Sequence, residues 1–401
     1  MKTAKVAIVK GVKKPSEKEI DASVRKAIGL VGGLDDIVKG GDLVLIKPNI
    51  CFTKPSESGA TTDPRICKTI ANMVKEKGAR PVIAEASLVG TDTEECIKAS
   101  GYNKLREEGY EVIDLKKMET TKVSVPKGKV IKELILPKIV VDANVIISVP
   151  KMKTHDNALV TLSLKNMKGV LSDSYKKKFH NTFGIFQGIA DLMTVVRPAL
   201  AVVDGIVAME GFGPIDGDPV EMGLIIAGKE PVAVDAVTSA VMGFKPQDDG
   251  CISAAAESGI GIADLAKIQV VGESVATVQR KFKRAEESLN EMISSFPEGF
   301  RLIVGEKACS GCRQVVLSTL LVLQKRGMLD RAKGWCVITG KIDKLPDVDK
   351  EKLLLAGDCT TKFKNQGKFA KGCPIGGCYG VASAILGDKE ASQIFDPTYY
   401  H

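Results

Sequence analysis

The chain has 401 residues, of which 44% are hydrophobic and 26% are charged, and its formal net charge is +8. This balance is typical of a soluble globular protein and excludes global disorder, and the length suits two or three domains. No run reaches the roughly 18 apolar residues of a membrane span, and the first residues lack a signal-peptide core. Aromatic residues are scarce at 5%, which disfavours stacking on nucleic-acid bases. We therefore expect a cytoplasmic protein that contacts neither membrane nor nucleic acid.

Strand and helix patterns alternate from the start of the chain to about residue 295. The helical segments include EIDASVRKAIGLVG and PRICKTIANMVKEKG. The apolar runs are KVAIVK, DLVLIKPN, RPVIAEA, EVIDL, NVIISVPK, ALAVVDGI, MGLIIAG and KIQVVG. Short Val/Ile runs separated by amphipathic helices predict an α/β fold with a mostly parallel sheet that is covered on both faces. The carboxyl ends of such strands form the ligand crevice of open α/β sheets.

A domain boundary is predicted after residue 296. Apolar residues recur at helical spacing over 275–296, and Pro297 and Gly299 then break the pattern. Residues 1–296 should form a large α/β domain with a lysine- and histidine-bearing crevice. Residues 297–401 should form a smaller cysteine-bearing α/β domain, with QVVLSTLLVLQKRGM as its main helix and WCVITGK and KLLLAGD as strands.

Six of the ten cysteines fall in the last quarter of the chain. Cytosolic thiols stay reduced, so clustered cysteines indicate metal or redox ligands rather than disulfides. A CxxC pair is followed by a cysteine in Gly-Asp-Cys and by another in Gly-Cys-Pro. We predict that these four hold a 4Fe–4S cluster: Cys309, Cys312, Cys359 and Cys373. Structural zinc, which also takes four thiolates, and a metal-free dithiol are the alternatives.

Two further cysteines compete for places in this set. Cys336 follows Trp335 at the start of a Val/Ile strand, which also suits a core residue. Cys378 comes five residues after Cys373 and is the first substitute for it.

Polar side chains are concentrated after one buried strand of the large domain. If the segment Ser148–His155 stays extended, its alternate residues Lys151, Lys153 and His155 project to one side. More lysines, an amide and a histidine follow, and a carboxylate lies in a Gly-Phe-Gly-Pro loop that cannot be helix or central strand. The predicted catalytic residues are Lys151, Lys153, His155, Lys165, Asn166, Lys168, His180 and Glu210.

Other strand ends and glycine-rich turns should complete a site for a small anion. The predicted cofactor-binding residues are Lys47, Asn49, Asp204, Gly211 and Gly213. A divalent cation among the carboxylates is compatible with this set, although the spacing is not diagnostic. The known phosphate-binding loop, the complete dinucleotide fingerprint and the Gly-x-Ser-x-Gly nucleophile turn are all missing from the sequence.

Several motifs together resemble the domain-of-unknown-function 362 family: VLIKPN (44–49), ISVPKMKTH (147–155), LKNMKG (164–169), VVDGIVAMEGFGP (202–214) and PVAVDAV (231–237). The segments CSGC (309–312), GDC (357–359) and GCP (372–374) resemble the C-terminal part of its iron–sulfur members. The resemblance implies a cluster but no particular reaction, because the family has no assigned general activity. Many members carry a second proline after Gly-Cys-Pro. Here Ile375-Gly-Gly-Cys378 follows instead, which leaves Cys373 or Cys378 open as the last ligand.

Three functions follow from these observations. The first is a redox enzyme, in which the cluster exchanges electrons with a small anionic substrate or cofactor and with a redox partner protein. The second is a non-redox isomerase or group-transfer enzyme with a lysine or histidine base and a structural metal, in line with a remote similarity of layout to nickel-cofactor racemases. The third is an electron carrier without catalysis. We favour the first, because a carrier needs no such large polar constellation. A homo-oligomer is compatible with the sequence.

Overall fold

The computed structural model describes residues 4–156, 158–306, 308, 310–372, 375 and 378–395. Within helices, it leaves out the side chains of His180, Asn181, Leu289, Met292, Ile293, Ser310, Gln314 and Lys325. The chain divides into two compact units, Met1–Ser288 and Leu289–His401. This division lies eight residues before the boundary that the sequence pattern indicates at 296.

The first unit is built on one large, mostly parallel sheet, which confirms the predicted fold class. Its strands are β1 (Ala4–Lys10), β2 (Leu43–Pro48), β3 (Arg80–Glu85), β4 (Val112–Asp114), β5 (Thr120–Ser124), β6 (Glu133–Pro137), β7 (Val145–Val149), β8 (Lys151–Thr154), β9 (Val160–Thr161), β10 (Leu200–Glu210), β11 (Asp218–Gly228) and β12 (Ile268–Gly272). The order across the sheet is β12-β1-β11-β10-β7-β2-β3-β4, with β8 beside β10 and β9 beside β8. Strand β11 is antiparallel to both of its neighbours, β8 and β9 are antiparallel, and β5 and β6 form a separate antiparallel pair.

Helices with well-formed N-termini connect these strands. The first begins at a capping box in which the Ser16 and Glu19 side chains each bond the other's backbone N–H. The second begins at Asp63, with Pro64 as its first residue. The helices are α1 (Glu17–Leu30), α2 (Pro64–Glu76), α3 (Thr93–Ala99), α4 (Asn103–Glu107), α5 (Lys138–Asp142), α6 (Ser163–Asn166), α7 (Asp173–Asn181), α8 (Ile185–Met193), α9 (Pro231–Val241), α10 (Gly250–Glu257), α11 (Val275–Val278) and α12 (Ala285–Ser294).

Both faces of the large sheet are covered by apolar packing. On β1, Val6 and Ile8 belong to one hydrophobic cluster, whereas the intervening Ala7 belongs to the other. On β2, Leu45 packs in the first cluster and Ile46 in the second. Successive strand residues point to opposite faces, so an unbroken apolar run is the expected sequence of a strand buried on both sides.

The second unit has a four-stranded, wholly parallel sheet, as expected of a smaller α/β domain. Its strands, in spatial order, are β13 (Arg301–Val304), β14 (Cys336–Thr339), β15 (Leu353–Ala356) and β16 (Lys368–Ala370), and its helices are α13 (Ser310–Lys325), α14 (Cys378–Leu386) and α15 (Asp388–Ala391). Because the strands are parallel, the segments that follow them leave the sheet at the same edge.

None of the helices in the described ranges combines the length and the apolar character that a bilayer crossing requires.

Gly59 gives a test of how closely the first unit is packed. Its φ is +74°, and an added Cβ would overlap the carbonyl oxygen of Ala208. Gly41 has a similar φ of +85°, with no neighbour within 4 Å of an added Cβ. We expect Gly41→Ala to cost about 1–2 kcal/mol of unfolding free energy from backbone strain alone. Gly59→Ala should cost about 1–3 kcal/mol more from overpacking. Equal losses in denaturant unfolding of the two variants would contradict this.

Candidate functional site

Lys47, at the end of β2, forms a buried ion pair with Glu85 at the end of the adjacent β3. The Lys47 Nζ lies 2.8 Å from Glu85 Oε2, and it also donates to the Pro48 carbonyl at 2.7 Å. Burial lowers the pKa of Lys47, and the Glu85 carboxylate opposes that shift. Gly169 covers the pair so closely that a Cβ there would overlap Glu85 Oε1 and come within 2.6 Å of Lys47 Nζ. Only glycine therefore fits at position 169 with the ion pair as it stands.

Asn166 connects this pair to the neighbouring strands. Its Nδ2 donates to the Lys47 carbonyl at 2.9 Å and to Ser148 Oγ at 3.1 Å. Its Oδ1 accepts from Asn49 Nδ2 at 3.2 Å and from Lys47 Nζ at 3.4 Å. Three residues predicted for the site, Lys47, Asn49 and Asn166, thus lie in one buried hydrogen-bond network.

Lys151, on β8, pairs with Asp204 on β10. Their Nζ and Oδ2 atoms are 2.9 Å apart, and both side chains are essentially inaccessible to solvent. Asp204 also accepts the backbone N–H groups of Asp63 at 2.8 Å and Ile206 at 3.0 Å. A buried ion pair is tolerated when further hydrogen bonds satisfy its charges in this way. The cation and the carboxylate predicted here as ligand-binding groups therefore have each other as partners.

Lys153 is buried among neutral acceptors. Its Nζ donates to Asn49 Oδ1 at 2.9 Å, to the Ala60 carbonyl at 2.6 Å and to the Pro214 carbonyl at 3.0 Å. It also lies 3.2 Å from Cys51 Sγ. Within the described part of the chain, no carboxylate forms an ion pair with it. Burial lowers the pKa of Lys153.

His155 and Lys165 contact each other directly. His155 Nε2 is 2.8 Å from Lys165 Nζ, and His155 Nδ1 is 3.0 Å from Asp156 Oδ1. Burial, and then the charge of Lys165, lower the pKa of His155 to about 4, so the imidazole is neutral at pH 7. The contacts fit an Nδ1–H directed at Asp156 and an Nε2 lone pair that accepts from Lys165.

Lys47, Lys151 and Lys153 are buried and form the three inner lysines of the site. Lys165 differs from them because it is partly exposed. Burial lowers its pKa, and the carboxylates of Asp156 and Asp249 oppose that shift. A lowered pKa favours the neutral amine, which is the form in which a lysine can accept a proton.

The other predicted catalytic residues lie in less definite surroundings. Lys168 is partly buried in the turn that follows α6. His180 is on α7, but its side chain is outside the described part of the structure. Glu210 accepts from Arg280 Nη2 at 2.8 Å and from the Lys283 backbone N–H at 3.0 Å, so it anchors a loop.

The loop after Glu210 packs on β8. Thr154 Oγ1 donates to the Gly211 carbonyl at 2.9 Å, and a Cβ on Gly213 would overlap the Thr154 carbonyl. These two predicted cofactor-binding glycines thus position the Pro214 carbonyl that Lys153 contacts.

The site residues predicted from the sequence do not include several that complete the network of hydrogen bonds and ion pairs. Glu85 and Cys51 contact Lys47 and Lys153, respectively, and Asp156 contacts His155. Asp249 caps α10, and burial raises its pKa to about 6. The signal for Glu85 was its position at the end of a predicted strand. Choosing it as the partner of Lys47 required knowing that β2 and β3 are neighbours.

The cysteine-bearing segments of the second unit meet at the carboxyl edge of its sheet. A Cβ on Gly357 would lie 2.5 Å from Cys312 Sγ, so the Gly-Asp-Cys backbone runs against that thiol. The Asp358 N–H donates to the Gly372 carbonyl, and the Gly372 N–H donates to Asp358 Oδ1, both at 2.9 Å. In the sequence, Cys359 directly follows Asp358, and position 373 directly follows Gly372. Cys309 and Cys373 themselves lie outside the described residues.

The two alternative ligands occupy different places. Cys336 is the first residue of β14, at the amino edge of the sheet, and packs in a core with Leu353 and Phe363. Cys378 begins α14, and its Sγ lies 3.8 Å from the carbonyl of Val315, one turn beyond Cys312 on α13. Cys378 is therefore on the same side of the unit as Cys312, unlike Cys336. The described residues alone contain no group of three His, Cys, Asp or Glu side chains placed to hold a metal.

Part of the first unit matches the model of a known protein family. Residues 44–240 match the model of the family described as Domain of unknown function (DUF362). This match confirms the family resemblance of the motifs that lie between residues 44 and 240. The match contains every predicted lysine and histidine of the first unit and ends before the cysteine-bearing segments.

Two individual proteins are also similar. Over 238 residues the chain is 29% identical to the thylakoid-associated protein sll1697 of Synechocystis sp. (strain ATCC 27184 / PCC 6803 / Kazusa). The alignment covers 56% of this chain and 70% of that protein. The lactate racemase apoprotein from Thermoanaerobacterium thermosaccharolyticum aligns with 96% of this chain and 90% of its own, at 13% identity and a TM-score of 0.40. A structural similarity of that size supports no statement about activity.

The neutral state of His155 predicts a pH-dependent stability. An unfolded histidine takes up a proton near pH 6.5, whereas the folded His155 resists protonation until about pH 4. Between these values the unfolded state binds more protons, so stability falls as the pH falls. The His155→Gln variant keeps hydrogen-bonding capacity but does not titrate. Between pH 6.5 and pH 4 its free energy of unfolding should therefore fall by about 3 kcal/mol less than that of the wild type. Parallel denaturant-unfolding curves across this range would show that His155 does not titrate as described.

Proposed function

We propose that the protein binds a four-thiolate iron–sulfur cluster in its second unit and acts as a redox enzyme on a small anionic substrate or cofactor. The observation that carries the cluster is the contact between Cys312 Sγ and the Gly357 backbone at the carboxyl edge of a parallel sheet. Cys312 and Cys359 are 47 positions apart in sequence, and the segments that bear them converge there as a multidentate site requires.

The residues present fit such a group. Cys312 and Cys359 belong to segments in contact, and the hydrogen bonds between Asp358 and Gly372 bring the segment with Cys373 to the same edge. We assign Cys309, Cys312, Cys359 and Cys373 as ligands, with Cys378 as the substitute for Cys373. A bound cluster would supply one-electron transfer. Zinc suits the same four donors, and a visible absorption spectrum separates the two.

The anion site that we propose in the first unit contains fewer residues than the sequence analysis predicted. Lys47 and Lys151 already have buried carboxylate partners, and Lys153 is surrounded by protein acceptors. We therefore assign anion binding to the partly exposed Lys165, with Lys168 beside it in sequence and His155 in contact. We do not include a divalent cation, because Asp204 pairs with Lys151.

A non-redox isomerase or group-transfer enzyme is the second candidate. The specific observation in its favour is the Lys165–His155 pair, since an amine 2.8 Å from a neutral imidazole is suited to moving protons on a bound substrate. Turnover by cluster-free protein would favour this candidate, and turnover that depends on the cluster favours the redox enzyme.

We further propose a cytoplasmic location, where the thiols of a cysteine-rich chain stay reduced and available as ligands.

The cysteines offer a matched series for testing the cluster. After anaerobic reconstitution the wild type should contain about four iron and four sulfide per chain and absorb visible light. Cys312→Ser and Cys359→Ser should each lose the cluster, because each removes a ligand at the carboxyl edge. Cys336→Ser should retain it, because this thiol lies at the amino edge. Full absorbance in Cys312→Ser, or a colourless wild type with zinc and no iron, would exclude the proposal.

Lys165 tests the anion site independently of any reaction. Lys165→Met should weaken binding of acetate or inorganic phosphate about tenfold, the equivalent of one lost charge-assisted hydrogen bond. Lys122→Met, which removes an exposed lysine on β5, is the control and should bind like the wild type. Isothermal titration measures both. Unchanged affinity in Lys165→Met would place the anion elsewhere.

A further inference from the structure

Cys51 and Lys153 form a buried thiol–amine pair that the proposed function does not use. The two residues are 102 positions apart in sequence, yet Lys153 Nζ lies 3.2 Å from Cys51 Sγ. Both residues are more than nine-tenths buried. Each also contacts the Ala60 carbonyl, the sulfur at 3.5 Å and the amine at 2.6 Å. Neither group can therefore turn away without losing a buried hydrogen bond.

The amine of this pair is suited to nucleophilic chemistry. In the described structure its partners are the sulfur, one amide oxygen and two backbone carbonyls, and no carboxylate forms an ion pair with it. Burial lowers the pKa of Lys153, which favours the neutral amine with its reactive lone pair.

The sulfur is placed to be oxidised. Cys51 Sγ is in direct contact with the Lys153 amine, and Lys47 is also close enough to interact electrostatically with it. An oxidisable sulfur thus faces an amine at contact distance, which is the arrangement that a covalent crosslink between them needs.

We propose that dioxygen joins the two side chains through a single bridging oxygen, as Lys153 Nζ–O–Sγ Cys51. One thiol, one neutral amine and one dioxygen give the bridge and one water. The S–H bond, one N–H bond and the O–O bond break, and the N–O and O–S bonds form. Sulfur and nitrogen each lose two electrons, and the four electrons reduce dioxygen to the bridging oxygen and to water. The present separation is that of a hydrogen-bond contact, so forming the bridge requires the two side chains to move slightly closer together.

Two other buried cysteines of the first unit, Cys67 and Cys96, lack this arrangement. The Cys67 sulfur contacts Tyr102 Oη at 3.3 Å, and burial raises the pKa of Cys67 to about 12, so it stays a thiol. Burial likewise raises the pKa of Cys96 to about 11. The crosslink should therefore form at Cys51 rather than at Cys67 or Cys96. It depends neither on the cluster nor on any activity of the protein.

Peptide mass spectrometry of the full-length protein tests this inference. Protein purified without oxygen is compared with the same sample after exposure to air, and both are alkylated and digested. We expect a peptide linking Cys51 to Lys153 in the aerated sample alone, heavier by one oxygen and lighter by two hydrogens than the sum of its parts. Reduction with dithiothreitol should release it.

Three variants make the result specific. Lys153→Arg keeps the charge but offers no primary amine, so the linked peptide should disappear, as it should in Cys51→Ser. Cys67→Ser should form the bridge as the wild type does. The inference is overturned if aerated wild type yields only unlinked peptides, including Cys51 oxidised without a partner. Loss of two hydrogens without gain of oxygen would also overturn it, because that mass identifies a direct S–N bond.

Discussion

The burial of lysine side chains at the end of β2 and along β8 is the constraint around which the first unit is built. An unpaired ion loses several kcal/mol of hydration when it is buried, so each such group must find partners inside the protein. Lys47 and Lys151 meet the requirement with Glu85 and Asp204, and Lys153 meets it with carbonyl and amide oxygens. These partners come from different strands and loops, so the lysines fix how those segments meet.

This arrangement separates structural lysines from those available for chemistry. The inner three are fully occupied by protein groups, whereas the partly exposed Lys165 contacts an imidazole that burial and the lysine charge keep neutral. The cost of burying charge therefore has two effects. It forces the inner cations into ion pairs and hydrogen bonds, and at the edge of the network it lowers the pKa of Lys165 and keeps the His155 imidazole neutral.

Local sequence patterns predicted the fold and many of the residues that lie together, but not their partners. Apolar runs such as DLVLIKPN became central strands because both faces of the sheet are covered. Alternation along β8 drew attention to Lys151 and Lys153, yet these side chains bond different partners, and His155 lies beyond the end of the strand. Glu85 and Cys51 could not be assigned, because local patterns do not encode that β3 lies beside β2 or that the segment after β2 reaches β8. The sequence analysis assigned Glu210 to the site because of its unusual loop. In the structure its contacts are with Arg280 and Lys283.

The second unit shows how a parallel sheet can gather cysteine-bearing segments that are far apart in sequence. In a compact ferredoxin-type run, neighbouring residues supply the thiolates, and a short loop suffices to hold them. Here the CxxC follows β13, the Gly-Asp-Cys segment follows β15 and the Gly-Cys-Pro segment follows β16, so their proximity requires the sheet to be formed. The left-handed Gly357 then allows the backbone to approach Cys312 as no other residue could. A group bound by these thiolates would bridge loops from three strands and would therefore favour the folded unit over the unfolded chain. Metal binding and folding of the second unit should consequently be coupled.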